Sequence, residues 1–187
     1  MNVSSPPVRH RHSVSEFQRM AQAGIVVEDD RIELIDGDLI DMAPIGSRHA
    51  GAVKRLASLL HAAARGTAVV SVQDPLQIDS YSQPQPDIAL LRSRADFYAQ
   101  SHPQPADVLL IVEVAEASLN YDRDVKVPLY ARHGIPEVWL LDVAGRCLTV
   151  FRAPGSDGYG EQRRIVSAES IAPVLLPAAV IDLTGLL

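Results

Sequence analysis

Residues 109–142 read LLIVEVAEASLNYDRDVKVPLYARHGIPEVWLLD, and this stretch decides the fold. Leu109 to Val114 is an apolar run of strand length, rich in β-branched residues and interrupted by one carboxylate, Glu113. Burying an unpaired charge costs several kcal/mol. A strand of this kind therefore carries an acid where it meets a cation, a metal or a solvent-filled cleft. Lys126 follows in a helix-like segment able to fold back over the end of that strand, and a second strand is expected from Glu137 to Asp142. The β-α-β order predicts neighbouring strands joined by a crossover, with Glu113 and Lys126 both near the carboxyl edge of the sheet. A metal site needs a further acid, and Asp87, in the run Pro86-Asp87-Ile88-Ala89-Leu90-Leu91, is the candidate.

Working outward, the upstream half supplies the elements that would surround such a site. Ser13 and Glu16 have capping-box spacing ahead of Val14, Phe17, Met20 and Ala21, which predicts a helix of about ten residues ending at Gly24. Met1 to Arg11 reads as a loose arm. Its cluster Arg9-His10-Arg11-His12 could touch phosphate or bind metal, but it reads first as a solvated tail. In Arg31 to Ile40 the pair Asp36-Gly37 separates two short apolar runs, a hairpin signal because glycine tolerates the positive φ of a tight turn. Glu33 on its first arm is either a solvent-facing strand acid or an extra acid at the site. From Arg48 to Arg65, Val53, Leu56, Ala57, Leu60 and Ala64 recur at helical spacing, with Ser47 as the expected cap and Gly66 as the stop. His49 and His61 lie three turns apart on that helix, so they cannot form an i, i+4 metal clamp; His49 alone stays open as a functional residue.

Thr67 to Ile78 alternates as a strand, at an edge or bulged at Pro75, since proline cannot donate to a ladder. A loop over Tyr81 to Pro86 then delivers the chain to Asp87. Alternation along strands puts Asp87 on one face with Ala89 and Leu91, and Glu113 on one face with Ile111 and Ala115. If the strands are neighbours, both carboxylates enter the same cleft, and hard oxygen ligands suit Mg²⁺ or Mn²⁺. Arg92 to Asp107 reads as a surface excursion in which Arg92 and Arg94 could meet a nucleic-acid backbone. Asn120 or Asp122 is expected to cap the helix carrying Lys126 and Tyr130 on one face. Pro128 inside it costs about 3 kcal/mol in a helix interior, so the helix should begin close to it or kink there. Asp142 to Phe151 forms a hairpin with Cys147 and Trp139 packed. Tyr159 to Val166 is another strand, and Ala172 to Leu187 closes the domain.

Composition sets the outer bounds. With 187 residues, 47% of them hydrophobic, the chain is most simply one domain over residues 13–187, behind an N-terminal arm over 1–12. A net charge of −6 argues against non-specific coating of nucleic acid. One cysteine excludes an internal disulfide and any zinc site built from several thiolates. No stretch approaches the roughly 20 apolar residues of a membrane span, and the start lacks a basic-then-apolar secretory pattern. No membrane association and a cytoplasmic location are expected.

On residue types alone, Asp87, Glu113 and Lys126 suggest phosphodiester hydrolysis: two carboxylates hold a divalent ion, and a lysine orients the attacking water or stabilises developing charge. Pro86-Asp87 followed by Glu113-Val114 at the end of an apolar strand resembles the acidic core of the PD-(D/E)XK nuclease superfamily. The Glu-x-Lys of that core is missing, because position 115 is alanine; Lys126 is the candidate for its lysine. The migrated lysine, together with Ile32 to Gly37, Tyr121-Asp122-Arg123-Asp124-Val125-Lys126, Tyr130-Ala131 and Gly134-Ile135-Pro136-Glu137-Val138-Trp139, is similar to the Uma2 (Uma-two) family of predicted restriction endonucleases over roughly residues 13–185. Glu116-Ala117 departs from it, standing where relatives often show Ser-Pro. The resemblance implies a restriction-endonuclease-like α/β (α+β) core, a mixed central sheet flanked by helices. It also implies a Mg²⁺ or Mn²⁺ ion held by Asp87 and Glu113, with Val114 among the metal ligands, Lys126 as a catalytic residue and Glu33 as a further member of the site. The expected activity is a Mg²⁺-dependent DNA endonuclease, acting as a homodimer on a two-fold pseudosymmetric duplex. The alternative is a catalytically weak nucleic-acid-binding or assembly module that keeps the fold.

Overall fold

A computed structural model describes residues 8–27 and 30–187 of the chain. Its centre is a six-stranded sheet in the order β3-β4-β5-β6-β7-β8, comprising Ala68–Ser71, Ile88–Arg92, Val108–Ala115, Glu137–Asp142, Cys147–Gly155 and Gly158–Ile165. Every neighbouring pair runs antiparallel except β5 and β6, which are parallel with Val112 beside Trp139 and Glu113 beside Leu140. The expected crossover and the mixed sheet flanked by helices are both present. The two central strands are buried along nearly their whole length, as strands covered on both faces must be.

Two layers cover the sheet. Helix α2 (Ser47–Ala64) lays Val53, Leu56, Leu60 and Ala64 against Ile88, Leu90, Leu110, Val112, Trp139 and Leu141. The C-terminal strands β9 (Ser170–Ile171) and β10 (Ile181–Asp182) pair with each other and close the same layer. On the opposite face, Ala89, Leu91, Ile111, Ala115, Val138 and Leu140 pack under Val127, Leu129 and Tyr130. This second face is the one to which alternation assigns Asp87 and Glu113.

Helix α1 (Val14–Gln22) begins as its sequence predicts. The Ser13 hydroxyl accepts from the Glu16 amide while the Glu16 carboxylate accepts from the Ser13 amide at 2.8 Å, a reciprocal capping box. Strands β1 (Ile32–Ile35) and β2 (Asp38–Asp41) form the predicted hairpin, with Asp36 and Gly37 both at positive φ, 51° and 85°, the signature of a two-residue turn whose twist matches the strands. The hairpin is a separate ribbon, held to the loop before β4 by the bridge Leu34–Gln83. Residues 1–7 of the arm lie outside the described residues. Its remainder lies along this hairpin: the His12 amide donates to the Gly37 carbonyl at 2.9 Å, Arg11 Nε donates to the Asp36 carbonyl at 2.8 Å, and Arg9 pairs with Asp38.

Three local expectations need correction. Gly46, not Ser47, is the residue before α2, and Ser47 is its first helical residue. The strand expected over Thr67 to Ile78 stops at Ser71; beyond it the amides of Leu76, Gln77 and Ile78 bond to Pro84, Pro103 and Ser82 carbonyls across a loop rather than to a ladder. The helix carrying Lys126 starts after Ser118, not at Asn120 or Asp122. It runs as α3 (Leu119–Tyr121), a wide π turn (Asp122–Lys126) and α4 (Val127–Arg132). In the π turn the Val127 amide reaches back five residues to the Asp122 carbonyl. Pro128 explains it: a proline ring collides with the carbonyl four residues earlier and offers no donor, and a widened turn relieves both.

Candidate active site

The antiparallel register that sets Ile88 opposite Val112 brings Asp87, just before β4, beside Glu113 of β5. The π turn and α4 cross above them, and the hairpin closes the side. These elements enclose a cleft of about 380 Å³ whose lining includes Glu33, His49, Asp87, Glu113, Asp122 and Lys126. The three residues singled out from the sequence thus meet in one place, together with Glu33.

Lys126 is the hub. Its amine, 1% exposed, lies 2.8 Å from Glu113 Oε1 and donates to Glu33 Oε1 at 3.2 Å. Tyr130, one turn further along, donates to the same Glu113 oxygen at 2.6 Å. Burial opposes the charge on Lys126, but the carboxylates of Glu113, Glu33 and Asp122 outweigh it and lift the amine well above its ordinary range. Burial pushes Glu113 up to about 8 against the pull of Lys126, and Asp122, Asp87 and Glu33 add to the rise. Asp87 behaves in the opposite sense. Burial favours its neutral form, yet hydrogen bonding and charge from His49, with the Val114 amide and Gln73, hold it below the usual carboxylate range. The distances are 2.9 Å from His49 Nε2 to Oδ1, 3.0 Å from Gln73 Nε2 to Oδ1 and 2.9 Å from the Val114 amide to Oδ2.

Glu33 is fully buried rather than solvent-facing. Its Oε1 accepts from the Gln85 amide at 2.7 Å as well as from Lys126, whereas its Oε2 is buried without a hydrogen-bond partner. Glu113 Oε2 has only a long contact, 3.5 Å from the Asp87 amide. Val114 turns its side chain to the α2 face, so only its carbonyl oxygen could serve a cation. Spare lone pairs on Glu113 and Glu33 beside an ionised Asp87 are a donor set of hard oxygens. That set fits a divalent cation of the Mg²⁺ type, which keeps several waters and asks for few protein ligands. The sole trio of His, Asp or Glu ligand atoms lying within 4.8 Å of one another among the described residues is elsewhere, at His10, His12 and Glu16.

Sequence reasoning leaves two contributors, Asp122 and Gln73, unassigned and two others, Tyr130 and His49, without their partners. Asp122, 3% exposed, looks in the sequence like a helix cap but lies inside the helical segment, accepting from the Ser118 hydroxyl at 2.6 Å, and burial raises its pKa. Gln73 sits in the run read as a strand. Tyr130 was placed on the face of Lys126, but its bond to Glu113 depends on tertiary packing. His49, left open in the sequence, is the partner of Asp87. The departure at Glu116-Ala117 also has a place: Glu116 lines the cleft mouth and pairs with Arg48 at 3.1 Å, and a Cβ on Gly46 would lie 2.8 Å from its Oε2.

Arg92 and Arg94 lie at the other end of β4 and beyond it. Arg92 donates to the Ala106 carbonyl at 3.1 Å, and Arg94 pairs with Asp96 at 2.5 Å and stacks over the Tyr98 ring. No helix among the described residues is long and apolar enough to cross a membrane.

The family model Uma2, described as "Putative restriction endonuclease", matches residues 14–184. Among solved structures, the chain is similar to a putative nuclease belonging to DUF820 from Anabaena variabilis, at 15% identity and a TM-score of 0.74, covering 93% of this chain and 96% of that one. At that identity the likeness is one of fold. No curated protein matches.

Proposed function

This chain belongs to the Uma2 family, and from that premise we propose that it is a metal-dependent endonuclease hydrolysing DNA phosphodiester bonds at the Asp87/Glu113/Lys126 cleft. One observation carries the reading: two acids and a lysine from three separate segments converge on one partly open, water-accessible pocket. Asp87, Glu113 and the Val114 carbonyl would hold Mg²⁺ or Mn²⁺. Such an ion supplies Lewis acidity toward a phosphoryl oxygen and lowers the pKa of bound water.

The chain's own residues do the rest. His49 and Gln73 fix the Asp87 carboxylate from one side and the Val114 amide from the other, so its oxygens cannot swing. Tyr130 does the same for Glu113. Lys126 keeps its proton, so it acts as a fixed positive charge near the developing phosphorane and not as a base. With a net charge of −6, DNA contact has to be local. Arg31 in the cleft lining and Arg48, paired with Glu116, are cations that support this reading.

The test is nicking of supercoiled plasmid by purified protein in Mg²⁺ or Mn²⁺, with Asp87→Ala and Glu113→Ala alongside. Cleavage by the parent and loss of about 100-fold or more in each variant is expected, the scale of removing an electrostatic contributor to a transition state. Equal cleavage by all three would mean a contaminating nuclease. A second reading, a nucleic-acid-binding or assembly module with little turnover, draws on the same cluster: the Lys126 charge is already shared between Glu113 and Glu33. Metal-stimulated DNA binding with no cleavage would favour it.

A further inference from the structure

We propose that His10, His12 and Glu16 form a second cation site, taking a borderline divalent metal of the Zn²⁺ class and distinct from the oxygen-lined cleft. Their ligand atoms all lie within 4.8 Å of one another. His10 Nε2 stands 3.4 Å from Glu16 Oε1. Two ligands on a tetrahedral zinc, each about 2.0–2.1 Å from the metal, are about 3.3–3.4 Å apart, so this pair already has the spacing of a coordinated one. The two imidazoles meet edge to face with centroids 5.0 Å apart and planes at 79°. The remaining ligand-atom separations, none above 4.8 Å, would have to close to about that spacing to complete the tripod.

The backbone holds these residues in place. The His12 amide is anchored to the Gly37 carbonyl of the hairpin. Glu16 is fixed by the capping box, in which its Oε2 accepts from the Ser13 amide at 2.8 Å and the Ser13 hydroxyl at 2.9 Å. That arrangement leaves Oε1 turned toward His10. An independent observation points the same way: His12 Nδ1 is buried and has no hydrogen-bond partner. A buried polar atom without a partner calls for an explanation such as an ion, and coordination through Nδ1 would give its lone pair what it lacks. The neighbouring cations do not crowd the site with free charge. Arg9 is paired with Asp38, and Arg11 bonds to the Asp36 carbonyl and lies over the Tyr81 ring.

Two imidazole nitrogens and one carboxylate oxygen suit Zn²⁺, with a water in the fourth position, far better than Mg²⁺. A cation there would clamp residues 10–12 to the first turn of α1 and, through Gly37, to the hairpin that carries Glu33. The site is therefore a structural staple, and the experiment is a Zn²⁺ titration of the untagged full chain against a chromophoric chelator at neutral pH, in excess Mg²⁺. One Zn²⁺ per chain is expected, unchanged in Asp87→Ala and weakened at least about tenfold in His10→Gln and in His12→Gln, since even changes outside the ligand shell weaken metal binding on that scale. Zn²⁺ should also raise the melting temperature of the parent and not of Glu16→Gln, whose glutamine can still complete the capping box. Circular dichroism without metal checks that the variants fold. Zinc binding equally tight in the histidine variants, or no zinc binding by the parent, would overturn the proposal, as would its loss in Asp87→Ala. The outcome is independent of nuclease activity.

Discussion

Removing the Lys126 amine would leave its two buried partners, Glu33 and Glu113, without the charge that both contact. Breaking a buried ion pair from one side costs about 3–5 kcal/mol, so Lys126→Met should lower the urea midpoint by a corresponding amount. Glu113 gives the pH dependence. Its folded value of about 8 lies above the ordinary 4.5, so the folded chain holds that proton more tightly than the unfolded chain. The group contributes stability below about pH 4.5 and loses that contribution as pH rises to about 8. A divalent cation competes with the same proton. Mn²⁺ affinity measured by titration calorimetry should therefore climb across this window and level off above it; a flat profile would remove Glu113 from the ligands. Asp87, Glu113 and Lys126 were legible in the sequence because a charge in or beside an apolar run has few reasons to be there. Asp122 and Gln73 were not, because a polar residue in a polar segment carries no such contrast. Their burial is created by other parts of the chain.

At the scale of elements, the hairpin turn and the first helix are local objects and their chemistry can be tested locally. Gly37 has φ of +85°, and a Cβ there would come within 2.6 Å of the Arg11 Cβ. Gly37→Val should cost more than about 1 kcal/mol from strain in the left-handed region alone, read as a fall in melting temperature. Ser13→Ala removes one side of the capping box and should cost about 1 kcal/mol, a smaller fall in the same measurement. Both elements were readable because a turn glycine and a capping pair act within a few residues. The stretch from Thr67 to Ile78 misled for the converse reason. Leu76 and Ile78 are buried, so the alternation is real, but it reflects a loop tucked beneath the second face of the sheet, with Pro75 denying the ladder a donor. The break at Pro128 was foreseen. Its resolution as a π turn was not, since sequence announces the collision and packing selects the remedy.

For the whole molecule, the parallel β5–β6 pair and its helical crossover follow from the 109–142 stretch, whereas the order of the outer strands depends on long-range pairing. The acidic net charge predicts DNA binding through only a few phosphate contacts, and so a shallow fall of log affinity with log salt, about −0.9 per contact, measurable as that slope. A homodimer, proposed from the two-fold character of a duplex substrate, would give a sedimentation mass of two chains at working concentration, and a one-chain mass would remove it. The hairpin holding Glu33 is not woven into the main sheet; the Leu34–Gln83 bridge, the Gln85 and Asp36 amide bonds and the Lys126 contact moor it. A ribbon moored in that way can lift off while the six strands behind it stay intact. Backbone amides of residues 32–41 should accordingly exchange with deuterated solvent well before those of residues 108–115, with the protein still folded. Each such opening would uncover Lys126 and take Glu33 out of the cleft, so the fraction of molecules with the cleft assembled would follow the adhesion of one small ribbon rather than the stability of the fold.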